Sequence, residues 1–248
     1  MIRSTSSSMS FDALHGIRAI AFDADDTLWE LQPYFAAVEH RYCQLLADYG
    51  TADEISASLF ATETANMADM GYGCKAFCIS LVENAIKVSH GAVSGDTIGR
   101  IVALGKSLLH LDATPMEGVS DTLANLHSMR NESGERRFRL AVFTKGELLD
   151  QENKLHRSGL ARYFDVVSIV SDKTQVAYRH LCSQLGVRAD QLLMVGNSFK
   201  SDVAPALEIG AWAVHVPFHT LWAHEQTEEY EHERLRRIAN IREIIGLL

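Results

Sequence analysis

The sequence has little of what marks secreted and membrane proteins. Its 248 residues include only four cysteines and no Cys-x-x-Cys pair, so we expect free thiols, buried or half-buried, in a reducing compartment: Cys43, Cys74, Cys78 and Cys182. No apolar stretch is long enough to span a membrane. The first ten residues are rich in serine and lack the apolar core of a secretory signal. We therefore predict a cytoplasmic protein that does not enter a membrane.

Positive charge is also scarce. The chain has 23 lysines and arginines against 32 aspartates and glutamates, which gives a formal net charge of -9. Such a balance argues against a general electrostatic grip on nucleic acid or on an anionic membrane surface. A small anionic ligand is still compatible with it, because a bound metal and one or two lysines invert the field locally. We therefore expect a small molecule, and no nucleic acid, as the partner.

What the sequence does have is a cluster of carboxylates directly after a short apolar run. The run Ala19 to Phe22 predicts a buried strand, and Asp23, Asp25 and Asp26 follow it within four positions. Like charges this close repel one another, so something must compensate them. A hard cation such as magnesium, held by oxygen ligands, meets that need. If Asp23 and Asp25 turn toward one site, one carboxylate is able to attack while the other handles protons.

The remainder of the chain contains two kinds of pattern. Residues 33–111 read as four helices joined by short breaks, which is typical of a small helical bundle. The segment 224–237 has acids first and arginines later, as a helix favours, and the isoleucines after it are expected to pack on the core. Alternation of strands and helices predicts an α/β fold class, a Rossmann-like parallel sheet with helices on both faces. Its strands are predicted near 18–23, 138–143, 166–170, 192–195 and 212–216.

These patterns predict that the chain is divided into three parts. Residues 1–15 form a flexible N-terminus, residues 16–32 together with 112–248 form the α/β core domain, and residues 33–111 form a helical domain inserted after the first strand. Ligands of an open parallel sheet bind at the carboxyl ends of its strands. The polar residues that we expect to converge there are Asp23, Asp25, Thr144, Lys145, Lys173, Asn197, Ser198 and Asp202.

The motifs at these strand ends resemble those of the haloacid dehalogenase-like hydrolase superfamily, in the order that the family has them. The stretch Asp23-Ala24-Asp25-Asp26-Thr27 matches its Asp-x-Asp-x-Thr signature, and Thr144 stands where the family has a Ser or Thr. Lys173 stands where it has a lysine, although the proline that commonly follows is missing. The segment from Gly196 to Asp202 matches the last motif, with Asn197 in place of the usual aspartate. The resemblance covers about residues 18–217 and implies the family's fold.

The resemblance implies a phosphatase that works through an aspartyl-phosphate. Asp23 would attack phosphorus, and Asp25 would give a proton to the leaving alcohol and then take one from water. Dehalogenases of the superfamily keep no acid at the position of Asp25, so this residue favours a phosphate ester as substrate. Thr144 and Lys173 would stabilise charge on the phosphoryl oxygens, and Lys145 is a further candidate for substrate binding.

The resemblance also implies magnesium as the cofactor. Its ligands would be the Asp23 carboxylate, the main-chain carbonyl of Asp25 and the Asp202 carboxylate, with waters completing the shell. Asn197 is the fourth candidate, either as a weaker ligand through its carbonyl oxygen or as the residue that orients a metal-bound water.

Residues 33–111 would then be the family's helical cap, which closes over the site and reads the leaving group. The break from Met70 to Lys75 would face the site, with Tyr72 stacking on a base or sugar and Lys75 meeting a second anionic group; a plain turn with a surface lysine is the alternative. We expect a small phosphorylated metabolite as the substrate, and a monomer or homodimer as the assembly. A phosphomutase, or a non-catalytic module that binds a phosphorylated ligand, is the alternative function on the same fold.

Overall fold

Six parallel strands form a single sheet at the centre of the molecule. The computed structural model describes residues 14–220 and 222–248. Its strands are β1 Ala19–Phe22, β2 Arg139–Lys145, β3 Val166–Val170, β4 Leu192–Gly196, β5 Trp212–His215 and β6 Leu235–Arg237. Across the sheet they follow the order β3-β2-β1-β4-β5-β6, and every neighbouring pair is parallel. The predicted α/β class with a Rossmann-like sheet is confirmed, and the sheet has one strand more than predicted.

The helices fall into two groups. Four of them lie between β1 and β2, and we call this group the helical insertion: α1 Gln32–Leu45, α2 Ala52–Met70, α3 Cys74–Val88 and α4 Gly95–Ser107. The others pack around the sheet: α5 Val119–Ser128, α6 Leu148–Arg157, α7 Gln175–Leu185, α8 Ala204–Glu208 and α9 Ile244–Leu247. A π-helical turn, Phe199–Val203, precedes α8. The four helices predicted within residues 33–111 are present.

The short strand β1 is buried on both of its faces. Ile20 and Phe22 belong to a hydrophobic cluster with α5 and the C-terminal segment. Ala19 and Ala21 point the other way and belong to a second cluster, with α7 and α8. Burial on both faces explains why the strand reads as a continuous apolar run rather than as an alternating one. It also fixes the position at which the first carboxylate, Asp23, leaves the sheet.

The helical insertion has a hydrophobic cluster of its own. Inside it, the hydroxyl of Tyr42 donates to the carbonyl of Leu81 at 3.0 Å, and the Asn84 amide donates to the Tyr42 oxygen at 2.9 Å. A capping box begins α2, because Thr51 and Glu54 each accept a hydrogen bond from the other's backbone amide. The domain boundaries predicted at residues 33 and 111 stay a prediction.

The C-terminal segment differs from the prediction. Residues 224–237 do not form a helix: a 3₁₀ turn at Ala223–Glu225 is followed by extended chain and by β6, which pairs with β5. Without β6 the edge of β5 would leave backbone groups unpaired, and pairing them outweighs the weak helical signal of the charges. The packing prediction is confirmed, because the isoleucines join the core cluster: Ile238, Ile241 and Ile244.

Three further predictions concern the ends of the chain, its cysteines and membranes. Residues 1–13 of the predicted flexible N-terminus lie outside the described residues, whereas Leu14 is buried and its amide donates to the Leu247 carbonyl at 2.7 Å. All four cysteines are free thiols, with Cys78 half-buried and the others buried, as predicted. Within residues 14–220 and 222–248, no helix combines the length and the apolar character that crossing a membrane requires.

Candidate active site

The carboxyl ends of β1 and β4 lie side by side where the strand order reverses, which is the usual ligand position in such sheets. Asp23 directly follows β1, and its amide donates to the Val195 carbonyl at 2.9 Å. Asp202 lies on the π-helical turn that follows β4. A single ammonium joins the two, because Lys173 Nζ lies 2.5 Å from Asp23 Oδ1 and 2.6 Å from Asp202 Oδ1. Three residues predicted from three separate motifs therefore meet.

The glycine at the end of β4 allows this approach. A Cβ atom at Gly196 would overlap the Asp202 carboxylate, so no other residue fits there without a shift of the chain. The second carboxylate oxygen of Asp202 accepts a hydrogen bond from the Ser198 amide at 3.0 Å. The turn after β4 thus holds Asp202 both by shape and by a backbone donor.

The protein alone does not balance the charge at this position. Asp23, Asp202 and Lys173 are all buried, and one ammonium serves two carboxylates. Burial raises the pKa of the Asp23 carboxyl; Lys173 opposes that rise, and Asp202 adds to it. Burial acts to lower the pKa of Lys173, but the carboxylates of Asp202 and Asp23 hold it above its ordinary value. The lysine therefore stays charged, and a surplus negative charge remains beside it.

Asp26, the third carboxylate of the cluster, has a structural role. It lies in the left-handed region with φ 61°, and its Oδ1 accepts hydrogen bonds from the amides of Leu31 at 2.7 Å and Gln32 at 3.0 Å. These are free amides at the start of α1, so Asp26 caps that helix in the way a separate N-cap residue would. Burial raises its pKa to about 6, although the two amides oppose the rise.

Asn197 reaches Asp23 through a threonine. The Thr27 hydroxyl lies 3.0 Å from Asp23 Oδ2 and 3.2 Å from Asn197 Oδ1. The backbone amide of Asn197 donates to the same hydroxyl oxygen at 3.1 Å. The ring of His215 contacts the main-chain oxygen of Asn197 at 3.0 Å. Asn197 therefore lies beside the two carboxylates that were predicted to bind metal, and its own oxygen already faces Thr27.

Asp25 lies in a separate network. Lys154 Nζ is 2.8 Å from its Oδ1 and 3.0 Å from its Oδ2, and Lys154 is only 1% exposed. Gln151 Nε2 donates to Oδ2 and Trp29 Nε1 donates to Oδ1, each at 2.7 Å. Both oxygens of the carboxylate are thus held by donors, and one of these donors is charged. Asp25 has its own lysine and does not share Lys173.

Sequence reasoning did not find Lys154 and Gln151. The pair Asp150 and Lys154 has the i,i+4 spacing of an ordinary exposed helix pair, and the two side chains do lie 3.5 Å apart. The available signal was that residues 150, 151 and 154 share one helix face just after a strand end. Only the packing of α6 against the site shows that this face is buried.

Thr144 and Lys145 end β2 beside these residues. Thr144 is buried and does not cap α6; Glu147 does, accepting a hydrogen bond from the Asp150 amide at 3.0 Å. Lys145 Nζ lies 2.5 Å from Glu225 Oε1, and also contacts the Ser201 hydroxyl at 2.8 Å. Glu225 was missed because the sequence placed it in a terminal helix, whereas its 3₁₀ turn folds back over the site.

Two residues of the helical insertion were predicted to contact substrate, and only one of them lines the cavity. Tyr72 lines the cavity described below; its ring lies 4.1 Å from Lys145 Nζ and 5.7 Å from the Trp222 ring. Lys75 does not line that cavity. It pairs with Glu147 at 2.9 Å, and its side chain is 52% exposed. The position of Lys75 thus matches the alternative of a surface lysine beside a turn, and Tyr72 alone faces the site.

The cavity lies between the helical insertion and the carboxyl edge of the sheet. Its volume is about 200 Å³, room for a small metabolite rather than a polymer. Apart from Lys75, every residue predicted for the site lines it: Asp23, Asp25, Tyr72, Thr144, Lys145, Lys173, Asn197, Ser198 and Asp202.

The oxygen donors of Asp23 and Asp202 suit a hard cation. Their carboxylates converge on one point with more negative charge than Lys173 offsets. Across the described residues, no three side chains of His, Cys, Asp or Glu are grouped to hold a metal by themselves. Magnesium commonly binds through one or two carboxylates and keeps several waters. The residues present therefore fit Mg²⁺.

Comparisons with known proteins confirm the family that the motifs resemble. The sequence model of the family "haloacid dehalogenase-like hydrolase" matches residues 17–210. Glyceraldehyde 3-phosphate phosphatase of Methanothermobacter thermautotrophicus is 24% identical over 80% of this chain and 84% of its own, and that of Methanocaldococcus jannaschii is 26% identical over 81% and 85%. A haloacid dehalogenase-like family hydrolase from Xanthomonas campestris superposes with TM-score 0.81 at 28% identity, covering 94% of this chain and 92% of its own.

Proposed function

Because this chain belongs to the haloacid dehalogenase-like hydrolase family, we propose that it is a magnesium-dependent phosphatase that hydrolyses a small phosphate monoester. The observation that carries the proposal is the buried ammonium of Lys173, which two carboxylates share at the end of the first strand. The names of the two archaeal relatives support a phosphorylated substrate, and glyceraldehyde 3-phosphate is therefore the first compound to test.

Asp23 is the proposed nucleophile. Lys173 holds its Oδ1 and Thr27 holds its Oδ2, so the carboxylate is oriented before substrate arrives. Its oxygen forms a bond to phosphorus while the bond from phosphorus to the leaving oxygen breaks, which gives an aspartyl-phosphate. Lys173 and Thr144 then stabilise the charge on the phosphoryl oxygens.

Asp25 is the proposed acid and base. It transfers a proton to the leaving oxygen, and it later takes one from the water that attacks the aspartyl-phosphate. The contacts with Lys154, Gln151 and Trp29 fix the position of its two oxygens. The first step needs Asp25 as the carboxylic acid, and the proton that it takes from the attacking water in the second step restores this form for the next turnover.

Asp23, the Asp25 carbonyl and Asp202 are the proposed magnesium ligands, with Asn197 close by. When bound, the ion would offset the repulsion between the Asp23 carboxylate and an incoming phosphate. We also propose that the helical insertion acts as the cap, because its residues Phe35, Tyr72 and Phe77 close the side of the cavity opposite the sheet. We therefore expect the insertion to contact the leaving group and to determine which ester is preferred.

The test is phosphate release from a panel of phosphate esters by purified protein with magnesium. The panel contains p-nitrophenyl phosphate, glyceraldehyde 3-phosphate and an aldose 1-phosphate. Release of inorganic phosphate that disappears in Asp23→Asn supports the proposal. Transfer of phosphate to a second hydroxyl of the sugar would instead indicate a phosphomutase, and binding without turnover would indicate a ligand-binding module.

A further inference from the structure

The wall of the cavity is strongly acidic. Among the described residues that line it are eight carboxylates and three lysines. Each of the three lysines already contacts a carboxylate: Lys145 with Glu225, Lys154 with Asp25, and Lys173 with Asp23. A substrate with a second anionic group would therefore find no free cation within the described lining. It would meet additional negative charge instead.

Two of the carboxylates belong to the helical insertion, on the side away from the sheet. Glu39 lies on α1 and Glu63 on α2, and both line the cavity. Glu39 accepts a hydrogen bond from the Ser56 hydroxyl. Within the described residues, no lysine, arginine or histidine forms an ion pair with either acid. Burial raises the pKa of Glu63 to about 7, and Glu39 adds to that rise, as expected for carboxylates without a cation.

Aromatic rings line the same cavity, and one of them, Phe35, lies on α1 together with Glu39. Phe35 and Phe77 face each other at 4.9 Å between ring centres, and both line the cavity, as do Tyr72 and Trp222. Carboxylates combined with aromatic faces are the surroundings that organic cations prefer, since the ring quadrupole attracts positive charge. An apolar or anionic leaving group would gain nothing from Glu39 and Glu63.

An independent observation points to a ligand that donates hydrogen bonds. Asp150 and Gln151 line the cavity, are each 4% exposed, and each keeps one oxygen with no partner, Asp150 Oδ1 and Gln151 Oε1. The side-chain nitrogen of Gln151 donates to two acceptors, Asp25 Oδ2 and the Lys145 carbonyl, so the atom without a partner is its oxygen. Buried acceptors without a donor cost free energy that a donor-rich ligand recovers.

We propose that the leaving group of the substrate carries a protonated amine, so that the substrate is a phosphate monoester of an amino alcohol. The phosphate faces Lys173 and Thr144, and the ammonium faces Glu39 and Glu63 between the aromatic rings. This inference rests on the proposed phosphatase function and narrows its substrate class. It excludes phosphorylated carboxylic acids, for which the described lining offers no unpaired cation.

Three esters of matched length test the inference: 2-aminoethyl phosphate, 2-hydroxyethyl phosphate and phosphoglycolate. They place an ammonium, a hydroxyl or a carboxylate at the same distance from phosphorus. We expect kcat/KM to fall in that order, with the ammonium ester at least about tenfold above the hydroxyl ester, the effect of one favourable ion pair. Equal values, or a preference for the hydroxyl ester or the acid, would overturn the inference while leaving the phosphatase function standing.

The variant Glu63→Gln tests the assignment to this residue. It keeps the shape of the side chain and removes its charge, so the ratio of kcat/KM between the ammonium and hydroxyl esters should fall several-fold, about threefold or more. Glu83→Gln is the matched control, because Glu83 lies on α3 of the same insertion but does not line the cavity. If Glu63→Gln does not fold, Glu39→Gln carries the same expectation.

The two kinds of failure are distinguishable. An unchanged ratio in folded Glu63→Gln and Glu39→Gln would overturn the inference. Absence of phosphate release from every ester, p-nitrophenyl phosphate included, would instead overturn the phosphatase function, and the inference with it.

Discussion

The carboxylates on the two sides of the cavity differ in whether they form ion pairs with lysines. On the sheet side, lysines pair with five of the six carboxylates that line the cavity, in three groups: Asp23–Lys173–Asp202, Asp25–Lys154–Asp150 and Glu225–Lys145. The sixth, Asp26, accepts hydrogen bonds from backbone amides at the start of α1. On the insertion side, Glu39 and Glu63 form no ion pair within the described residues. The carboxylates of the sheet side therefore have partners within the protein, whereas Glu39 and Glu63 require a cation from the ligand.

This difference follows from what each side is built on. The ends of buried parallel strands are rigid, so they hold reacting groups in fixed positions before substrate binds. The helices of the insertion contact the core through side-chain pairs such as Phe60 with His224, whose ring centres lie 4.2 Å apart, and Lys75 with Glu147. Residues there are free to differ in charge without disturbing the sheet. We therefore expect substitutions on the sheet side to change turnover, and those on the insertion side to change which ester is preferred.

The largest expected effect is the loss of Asp23, the proposed nucleophile. Asp23→Asn should lower kcat by at least about 10³-fold while the fold survives, because no other described carboxylate takes its place at the end of β1. Hydrolysis of p-nitrophenyl phosphate by the purified variant is the measurement. Asp121→Asn, a change at an exposed position of α5, is the control and should keep full activity. Turnover by Asp23→Asn near the wild-type rate would contradict the role.

Removal of metal should be nearly as severe. Exhaustive chelation should abolish phosphate release, and magnesium should restore it. Calcium should restore little, because it prefers more ligands and looser geometry than two carboxylates with waters provide. A titration of activity with each ion measures this. Full activity after chelation would remove magnesium from the proposed site.

Replacing the shared lysine should affect both activity and stability. Lys173→Met leaves two buried carboxylates facing each other, which should cost about 3–5 kcal/mol of unfolding free energy and lower Tm by roughly 10 °C. Turnover should fall by about 10²-fold or more, since charge on the phosphoryl oxygens loses its partner. Lys106→Met, an exposed lysine of α4, is the control. Unchanged Tm in Lys173→Met, measured by calorimetry, would show that the ammonium does not hold the site together.

Asn197→Asp adds one more acid to the sheet side. With metal bound, attraction to a doubly charged ion should outweigh repulsion among single charges at similar distances, so half-maximal activation should need about threefold less magnesium. Substrate preference should change little. A magnesium titration of activity is the measurement. A higher requirement in the variant would mean that the bond between Asn197 and Thr27 matters more than the added charge.

The smallest expected effect lies on the insertion side. The pKa of Glu63 is raised to about 7 in the folded protein from its ordinary value of 4.5, so the native state binds more protons between these values and stability falls as pH rises through them. Glu63→Gln removes this loss. Its Tm at pH 8 should exceed that of the wild type by roughly 2–6 °C, with little difference at pH 4.5. If calorimetry gives the same Tm difference between Glu63→Gln and the wild type at both pH values, the effect comes from packing and not from the charge of Glu63.

The sequence predicted the sheet side well because its signals are local. The apolar run before Asp23 and the glycine turn before Asp202 mark strand ends, and strand ends of a parallel sheet converge whatever the details of the loops. The insertion side was predicted less well. Lys75 was expected to contact substrate and is a surface lysine, whereas Glu39 and Glu63 on the helix faces were not singled out.

The sequence by itself determined the α/β class, five of the six strands and the residues at the carboxyl edge, since strand pattern and spacing decide these. Only the tertiary structure decided that Lys154 is buried against Asp25, that Glu225 folds back onto Lys145, and that the last charged segment contains an edge strand rather than a helix. The physical reason is that charge and helical spacing along a chain do not state which face will be buried. That depends on which backbone groups and carboxylates are still without a partner once the sheet has formed.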